Sequence, residues 1–523
     1  VITGNGGATA GGLVGSNIGA LGNSYSDSAV TSTAGTSAGL GGVVGVNTGD
    51  VQFVDSLGVT NGGTNSDKVG GIIGVNNGNM YSGYNESIVS GRDNVGGIIG
   101  VNTNTVSNIV NATGVVGTNS IGGLVGDNSN SVTNGRNNGT ITGVENVGGL
   151  VGYNGKDAVL TDLVNAEAAD ITGVTNVGGI AGSNAGTITT GKADDESEKA
   201  NLINRGSITG HTYVGGVAGT NSGTITNANN NVELNADTTG AQYFGGIAGE
   251  NTGTIENATN TANVNAAGAN YVGGIVGLNN STLNGSSNEG SVTGLNFVGG
   301  VAGKNAAAIK GTLTNGELTT IKNSGTVTAG KGGAGGIFGV NEGVIDSIHL
   351  VSEGIVKGTN PKTGESGTGG IFGINKGKIT NSVLENTKGT VSGVSNTGGL
   401  IGINSGDISQ TSLKNVADIN IDNEDKVLNI GGLIGKNTGK IEGGRDAADS
   451  YYKYQIYNNG TITVTGEGEN IGGLIGYNTI ASVTPGRLTA GYNTGAITQK
   501  TVLMLVASLV RTKALLTRYL TPL

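Results

Sequence analysis

Cysteine and tryptophan are absent from these 523 residues, and there are only three prolines, two histidines and two methionines. Without cysteine, neither a disulfide nor a thiolate metal site can form; this fits a secreted bacterial surface protein and is also compatible with a cytosolic one. The two histidines, His211 in "GHTYVGG" and His349 in "DSIHL", lie far apart, and neither belongs to a His-Glu-x-x-His helix. Zinc-peptidase chemistry therefore lacks its ligands here. Charged residues are only 12% and the formal net charge is −10. No basic stripe is available for a nucleic-acid backbone. Long apolar runs are scarce too: the run from Val502 to Val510 ends at Arg511, well short of the ~20 residues that span a bilayer.

What is abundant is glycine, 104 residues, alongside 35% hydrophobics. Disordered glycine-rich chains do not carry that apolar content, and the glycines follow a repeat. The string Gly-Gly-apolar-apolar-Gly-x-Asn occurs sixteen times, as in "GGLVGSN" at 11–17, "GGIIGVN" at 70–76 and "GGLIGKN" at 431–437. Its closing residues are Asn17, Asn47, Asn76, Asn102, Asn128, Asn154, Asn184, Asn221, Asn251, Asn279, Asn305, Asn341, Asn375, Asn404, Asn437 and Asn478. Their spacings run from 26 to 41 residues. Four residues after the asparagine stands an apolar residue in fifteen copies, Ser482 being the exception. A third element, such as "GTITG" at 139–143 or "GSVTG" at 290–294, often precedes the next Gly-Gly.

The pattern dictates a fold class. Thr-Ile-Thr alternation places isoleucine on one face and hydroxyls on the other, as a half-buried strand requires. Asparagine and glycine supply the left-handed corners. One such unit cannot bury its apolar face alone, but identical units stacked in register can. The sequence thus predicts an all-β parallel β-solenoid (β-helix) over residues 1–500, about sixteen rungs of roughly three short strands each. With ~4.8 Å between strands, sixteen rungs make a rod on the order of 75–80 Å long. The repeated asparagines are expected to form an amide ladder at the turns, and the three glycines to mark close backbone approach at one crowded wall. A β-propeller would need about 40 residues per blade.

The Gly-Gly-Leu-Val-Gly-x-Asn core resembles the GLUG motif, from Gly11 to Asn478. That motif recurs in large secreted bacterial proteins, among them adhesins, filamentous-haemagglutinin-like proteins and IgA-cleaving metallopeptidases. The resemblance implies a secreted or cell-surface rod and transfers no catalytic residues, because the motif is structural.

Several stretches compete for a site. "SYYKYQIYNNG" at 450–460 gathers Tyr451, Tyr452, Tyr454 and Tyr457 from a chain with 14 tyrosines. Exposed tyrosines there would stack on sugars or anchor a protein; otherwise the stretch is a loop laid against the rod. Asp194, Asp195, Glu196 and Glu198 in "KADDESEKAN" read as a solvated insertion rather than a calcium site. The motif closes on neutral asparagine, so calcium-driven folding is not expected. The pairs Thr140/Thr142, Thr224/Thr226, Thr326/Thr328 and Thr461/Thr463 raise an ice-binding face, but their scatter argues for ordinary solvent-facing threonine. No catalytic residue, metal or cofactor emerges.

The two ends read as departures from the repeat. "VITG" at 1–4 resembles the third element, so the chain is expected to start mid-coil, as a fragment or processed form. Residues 501–523, "TVLMLVASLVRTKALLTRYLTPL", contain none of the glycines. They can be read as a terminal cap, or as a frameshift product. Codons that encode residues 504–517, read one base earlier, can spell Asn-Val-Gly-Gly-Leu-Val-Gly-Thr-Asn-Lys-Gly-Thr-Ile-Asp, a further copy of the repeat.

The functional expectation is a non-enzymatic, surface-exposed adhesin stalk or passenger segment. Its partner would be a host or neighbouring-cell glycan or protein, with no nucleic acid and no membrane insertion by this segment. The alternative is a polysaccharide-processing β-helix enzyme, whose carboxylates from neighbouring rungs would meet in a groove.

Overall fold

The computed structural model describes residues 1–4, 7–32, 38–189, 203–236, 240–359, 366–423, 426–442, 454–479 and 491–499. The tail at 501–523 and the acidic stretch at 194–198 lie outside the described residues.

The motif asparagines end the strands of one sixteen-stranded sheet, which starts at Val14–Asn17 and finishes at Ile475–Asn478. Every pairing in it is parallel and in register, for example Ile99 against Val125 and Asn102 against Asn128. The chain is a parallel β-solenoid. After each motif strand it turns into a second wall, seen in Val106–Asn111 and Ser131–Asn137. It then enters a third sheet of 31 strands that holds two ladders per coil, such as Val115–Val116 followed by Asn119–Gly122. No helix of the described residues is long and apolar enough to cross a membrane.

The second wall bends at a left-handed residue. Asn23, Phe53, Ser82, Asn108, Asn134 and Asp162 occupy this kink in six successive coils, with φ between 50° and 60°. Beyond it the wall divides: Ile379–Thr380 and Val383–Asn386 belong to two separate sheets. A second left-handed position lies two residues before the Gly-Gly, at Asn94, Ser120, Asn146 and Asn176 among others. Single asparagines tolerate this conformation because the short amide bonds locally.

The glycines bring backbones together. A methyl group on Gly96 would overlap the carbonyl oxygen of Ile99 and stand 2.8 Å from Gly126 N and Leu124 O. One on Gly97 would strike the Gly123 carbonyl and the amide of Asn111. The corner before the motif strand therefore touches the far end of the second wall, and the coil is pinched at its waist. Two apolar columns result. The larger joins the motif and second sheets, with Ile98, Ile99, Val106 and Ile109 from one coil. The smaller lines the third sheet in two segments, one with Val95, Val115, Ile121, Ile141 and Val147, the other with Val391, Ile419 and Ile462.

The apolar residue four places after each motif asparagine enters the larger column in most coils, as Val51, Met80, Val106, Ile188, Ile255 and Ile441 do. The coil after Asn154 departs from the rule. There Leu160, not Ala158, pairs with Val132, because Gly155 to Ala158 close an extra turn through Ala158 N to Gly155 O.

Candidate binding surface and the ladders beneath it

Fifteen amide–amide hydrogen bonds of 2.7–2.9 Å run unbroken from Asn17 to Asn478, each Nδ2 donating to Oδ1 of the next coil. Asn102 shows how one amide is used. Its Nδ2 donates to Asn128 Oδ1 at 2.8 Å and to Asn104 O at 2.6 Å. Its Oδ1 accepts from Asn76 Nδ2 and from the Asn104 backbone N–H. Both donors and both lone pairs are thus engaged in a corner with no solvent exposure, which removes the penalty a buried amide otherwise carries.

A second ladder, not foreseen from the sequence, lines the opposite side of the waist. Asn85, Asn111, Asn137, Asn165 and Asn204 are joined Nδ2 to Oδ1. Asn230, Asn260, Asn288 and Asn323 form another run, and Asn415, Asn458 and Asn493 a third. Its sequence signal is an asparagine nine residues after the motif one, in "YNES", "VNAT" and "RNNG". Insertions shift it to Asn165 and Asn204, so the spacing does not stay constant. Where Ser352 stands in this column the ladder stops. Among the described residues, Ser352 Oγ, Asn386 Oδ1 and Asn415 Oδ1 have no hydrogen-bond partner.

Residues 240–265 match the family model of the GLUG motif. No curated protein and no solved structure matches the chain. The matched window holds one GLUG strand, Ala248–Asn251, together with Ile255, the second-ladder Asn260 and the start of the third-sheet strand Val264–Gly273. The other GLUG strands keep its register.

The tyrosine cluster is only partly in view. Tyr457 is half-buried and stacks on Tyr492 of the next coil, with centroids 5.4 Å apart and 19° between rings. Burial, then the nearby Glu385 carboxylate, pushes its hydroxyl pKa up. Tyr454 is half-buried as well, while Tyr451 and Tyr452 lie outside the described residues. His349 Nε2 lies 3.0 Å from Glu385 Oε2, and His211 sits half-buried at a corner, its backbone N–H donating to Val174 O. The two histidines do not meet. Among the described residues no three acidic, histidine or cysteine side chains gather closely enough to hold a metal ion.

The threonine pairs do not extend into a flat array. Thr224 and Thr226 face Thr187 and Thr189 on one side, but Thr254 and Glu256 on the other. Thr328 stands between Thr293 and Lys357.

Two aromatic groups were missed by sequence reasoning. Tyr213, Tyr243, Tyr271 and Phe297 occupy the left-handed position before the Gly-Gly on four consecutive coils. Their rings stack at 5.0, 5.2 and 5.1 Å with interplanar angles of 9°, 10° and 12°. The stack is half-buried, and burial raises the hydroxyl pKa of Tyr213 and Tyr243. The second group is open to solvent on the second wall of the first three coils, and includes Tyr25, Phe53 and Tyr81. Phe53 and Tyr81 meet edge to face at 5.5 Å and 78°. The signal for both was available as aromatics recurring at one repeat position, but the positions became columns only once the register was known.

Proposed function

We propose that this chain is a non-enzymatic rod of a secreted or cell-surface bacterial protein, an adhesin stalk or passenger segment that presents binding regions to a glycan or protein of a host or neighbouring cell. The observation that carries the reading is the unbroken GLUG asparagine ladder through sixteen strands. Each coil spends its inward polar chemistry on holding the next coil, and leaves the outward positions free to vary. Outward residues of the GLUG strands do vary, from Val101 to Asp127 to Tyr153 in three successive coils. Ion pairs between coils, such as Lys304–Glu342 at 2.8 Å and Lys322–Glu353 at 3.1 Å, engage carboxylates in cross-coil contacts rather than leaving them convergent in a groove.

The test is an array of glycans and extracellular-matrix proteins probed with the intact chain, run beside an assay for glycan degradation. Saturable binding without cleavage supports the reading. Release of reducing ends from any polysaccharide would overturn it in favour of the enzyme.

A further inference from the structure

The second wall of the first three coils carries an exposed aromatic and aliphatic patch with an acidic rim. Five aromatic side chains are strongly exposed among the described residues, and three of them, Tyr25 (66%), Phe53 (51%) and Tyr81 (47%), lie here. Leu57, Val59 and Ile88, at the following corner of the same coils, are exposed as well. The register puts Tyr25, Asp55 and Tyr84 in one outward column, and Gln52 and Tyr81 in the next. Asp27, Asp50, Asp55 and Glu86 provide four carboxylates around the rings, while residues 17–62 and 76–91 contain no lysine or arginine. Following the Tyr84 column along the rod, the first cation is Arg136, two coils on.

Phe53 is the residue that the fold least explains. It holds φ at 51° in a kink where the other coils place Asn23, Ser82, Asn108, Asn134 and Asp162. A bulky side chain in that conformation is a true outlier, and half-exposed it gains little from burial. Strain kept at a surface position, beside solvent-exposed rings, is where a binding role is sought.

We infer that this patch is a docking face for a cationic, lysine- and arginine-bearing segment of a partner protein. The charge decides the chemistry. Ring faces attract ammonium and guanidinium groups, and the carboxylates add Coulomb attraction and steer the encounter. No cation stands on this wall of these coils, Lys68 and Arg92 lying beside the third-sheet strands Val69–Gly70 and Asp93–Gly96. Leu57, Val59 and Ile88 take the apolar side chains between the basic ones. The inference rests on the reading of the chain as a binding rod and assigns it one ligand class.

The test uses the whole chain and two short peptides, one rich in lysine and arginine, the other with glutamate in the basic positions. Binding is followed by fluorescence anisotropy at low and high salt, with a panel of neutral oligosaccharides alongside. The variant F53N/Y81T installs residues that the same wall uses in other coils, Asn23 at the kink and Thr133 in the Tyr81 column, and its circular dichroism should match the parent's. Salt-sensitive binding of the basic peptide alone is expected, weakened about five- to thirty-fold in the variant. Equal binding by parent and variant would reduce the effect to the overall negative charge and overturn the inference. So would no binding, or binding of a neutral oligosaccharide in place of the peptide. Such a failure leaves the rod reading standing if the array finds another ligand, whereas cleavage in the array defeats the rod reading whatever the peptide does.

Discussion

Asparagine does the work at the residue scale because its side chain is a peptide group in miniature. It has two donors and two acceptor lone pairs, so it can close its own corner and still bond the coils on either side. Ser352 shows what its absence does: its Oγ reaches no partner, and Asn386 turns its Nδ2 to Gly399 O. Ser352→Asn should therefore stabilise the rod by about 1–2 kcal/mol, by giving Asn386 Oδ1 a donor. The glycine clearance already exists, since Gly336 faces Ser352 as Gly300 faces Asn323. A higher urea midpoint and slower amide exchange around 323–386 are expected; a lower midpoint would show that the column cannot take the larger side chain.

Asp127 provides a test whose sign depends on pH. It stands between Val101 and Tyr153 on the GLUG sheet, and burial raises its pKa. An acid whose folded pKa is raised ionises more readily in the unfolded chain. Its cost is complete at neutral pH and disappears as pH falls below the ordinary aspartate value of about 3.9. Asp127→Asn should raise the unfolding free energy at pH 7 by a few tenths to about 1 kcal/mol. At pH 3 the two proteins should coincide. A gain that is constant across pH would mean that packing, not charge, is responsible.

The element scale is ruled by close approach. The Gly-Gly corner and the second asparagine ladder occupy one another's space, which is why both repeat. Gly97→Ala should cost ~3 kcal/mol or more through collision with the Gly123 carbonyl and the Asn111 amide. Gly114→Ala, whose methyl would stand 3.2 Å from the adjustable Thr140 hydroxyl, should cost under about 0.5 kcal/mol. Thermal unfolding of the pair separates a packing glycine from a merely repeated one, and equal losses would refute the account. The tyrosine stack obeys a related balance. A left-handed tyrosine costs about 1–2 kcal/mol and each stacked pair returns about 0.5–1.5 kcal/mol. Aromatics therefore occupy that position where the next coil offers a ring, and asparagine or serine holds it in coils such as those of Asn94 and Ser120.

At the scale of the whole molecule, order passes only between neighbouring coils, so coils are interchangeable units. Removing residues 103–128 takes out one complete coil, because Asn102 and Asn128 are register partners and Ser129 N already bonds Asn102 O. That deletion should fold, with circular dichroism like the parent and a rod shortened by about 4.8 Å in small-angle scattering. Removing only 103–115 would place a second-wall residue on the third sheet and should abolish the cooperative transition. If both deletions behave alike, the coil is not the folding unit.

The GLUG copies, their asparagines and the apolar residue four places later were legible in the sequence because they are local and keep their spacing. So was the ladder along the motif sheet, since an invariant amide at one position in a stack has its neighbour's amide as partner. The second ladder was hidden by its drift: it follows the motif asparagine by nine residues at Asn111, eleven at Asn165 and twenty at Asn204. "SYYKYQIYNNG" drew the eye as a run, yet Tyr457 stacks on Tyr492, thirty-five residues further on, and a run says nothing about such a partner.

By itself, then, the sequence determined that this chain stacks, which residues face inward along the motif strands and where its corners fall, because period and residue chemistry act within one coil. Which surface residues become columns was decided only by the tertiary structure. Tyr25, Phe53 and Tyr81 are about 28 residues apart along the chain and come to lie on one wall because parallel pairing sets each coil directly upon the last. The pinch at the waist was likewise beyond reach, since it arises from glycine in one coil meeting asparagine from across the section, a contact that no spacing along the chain encodes.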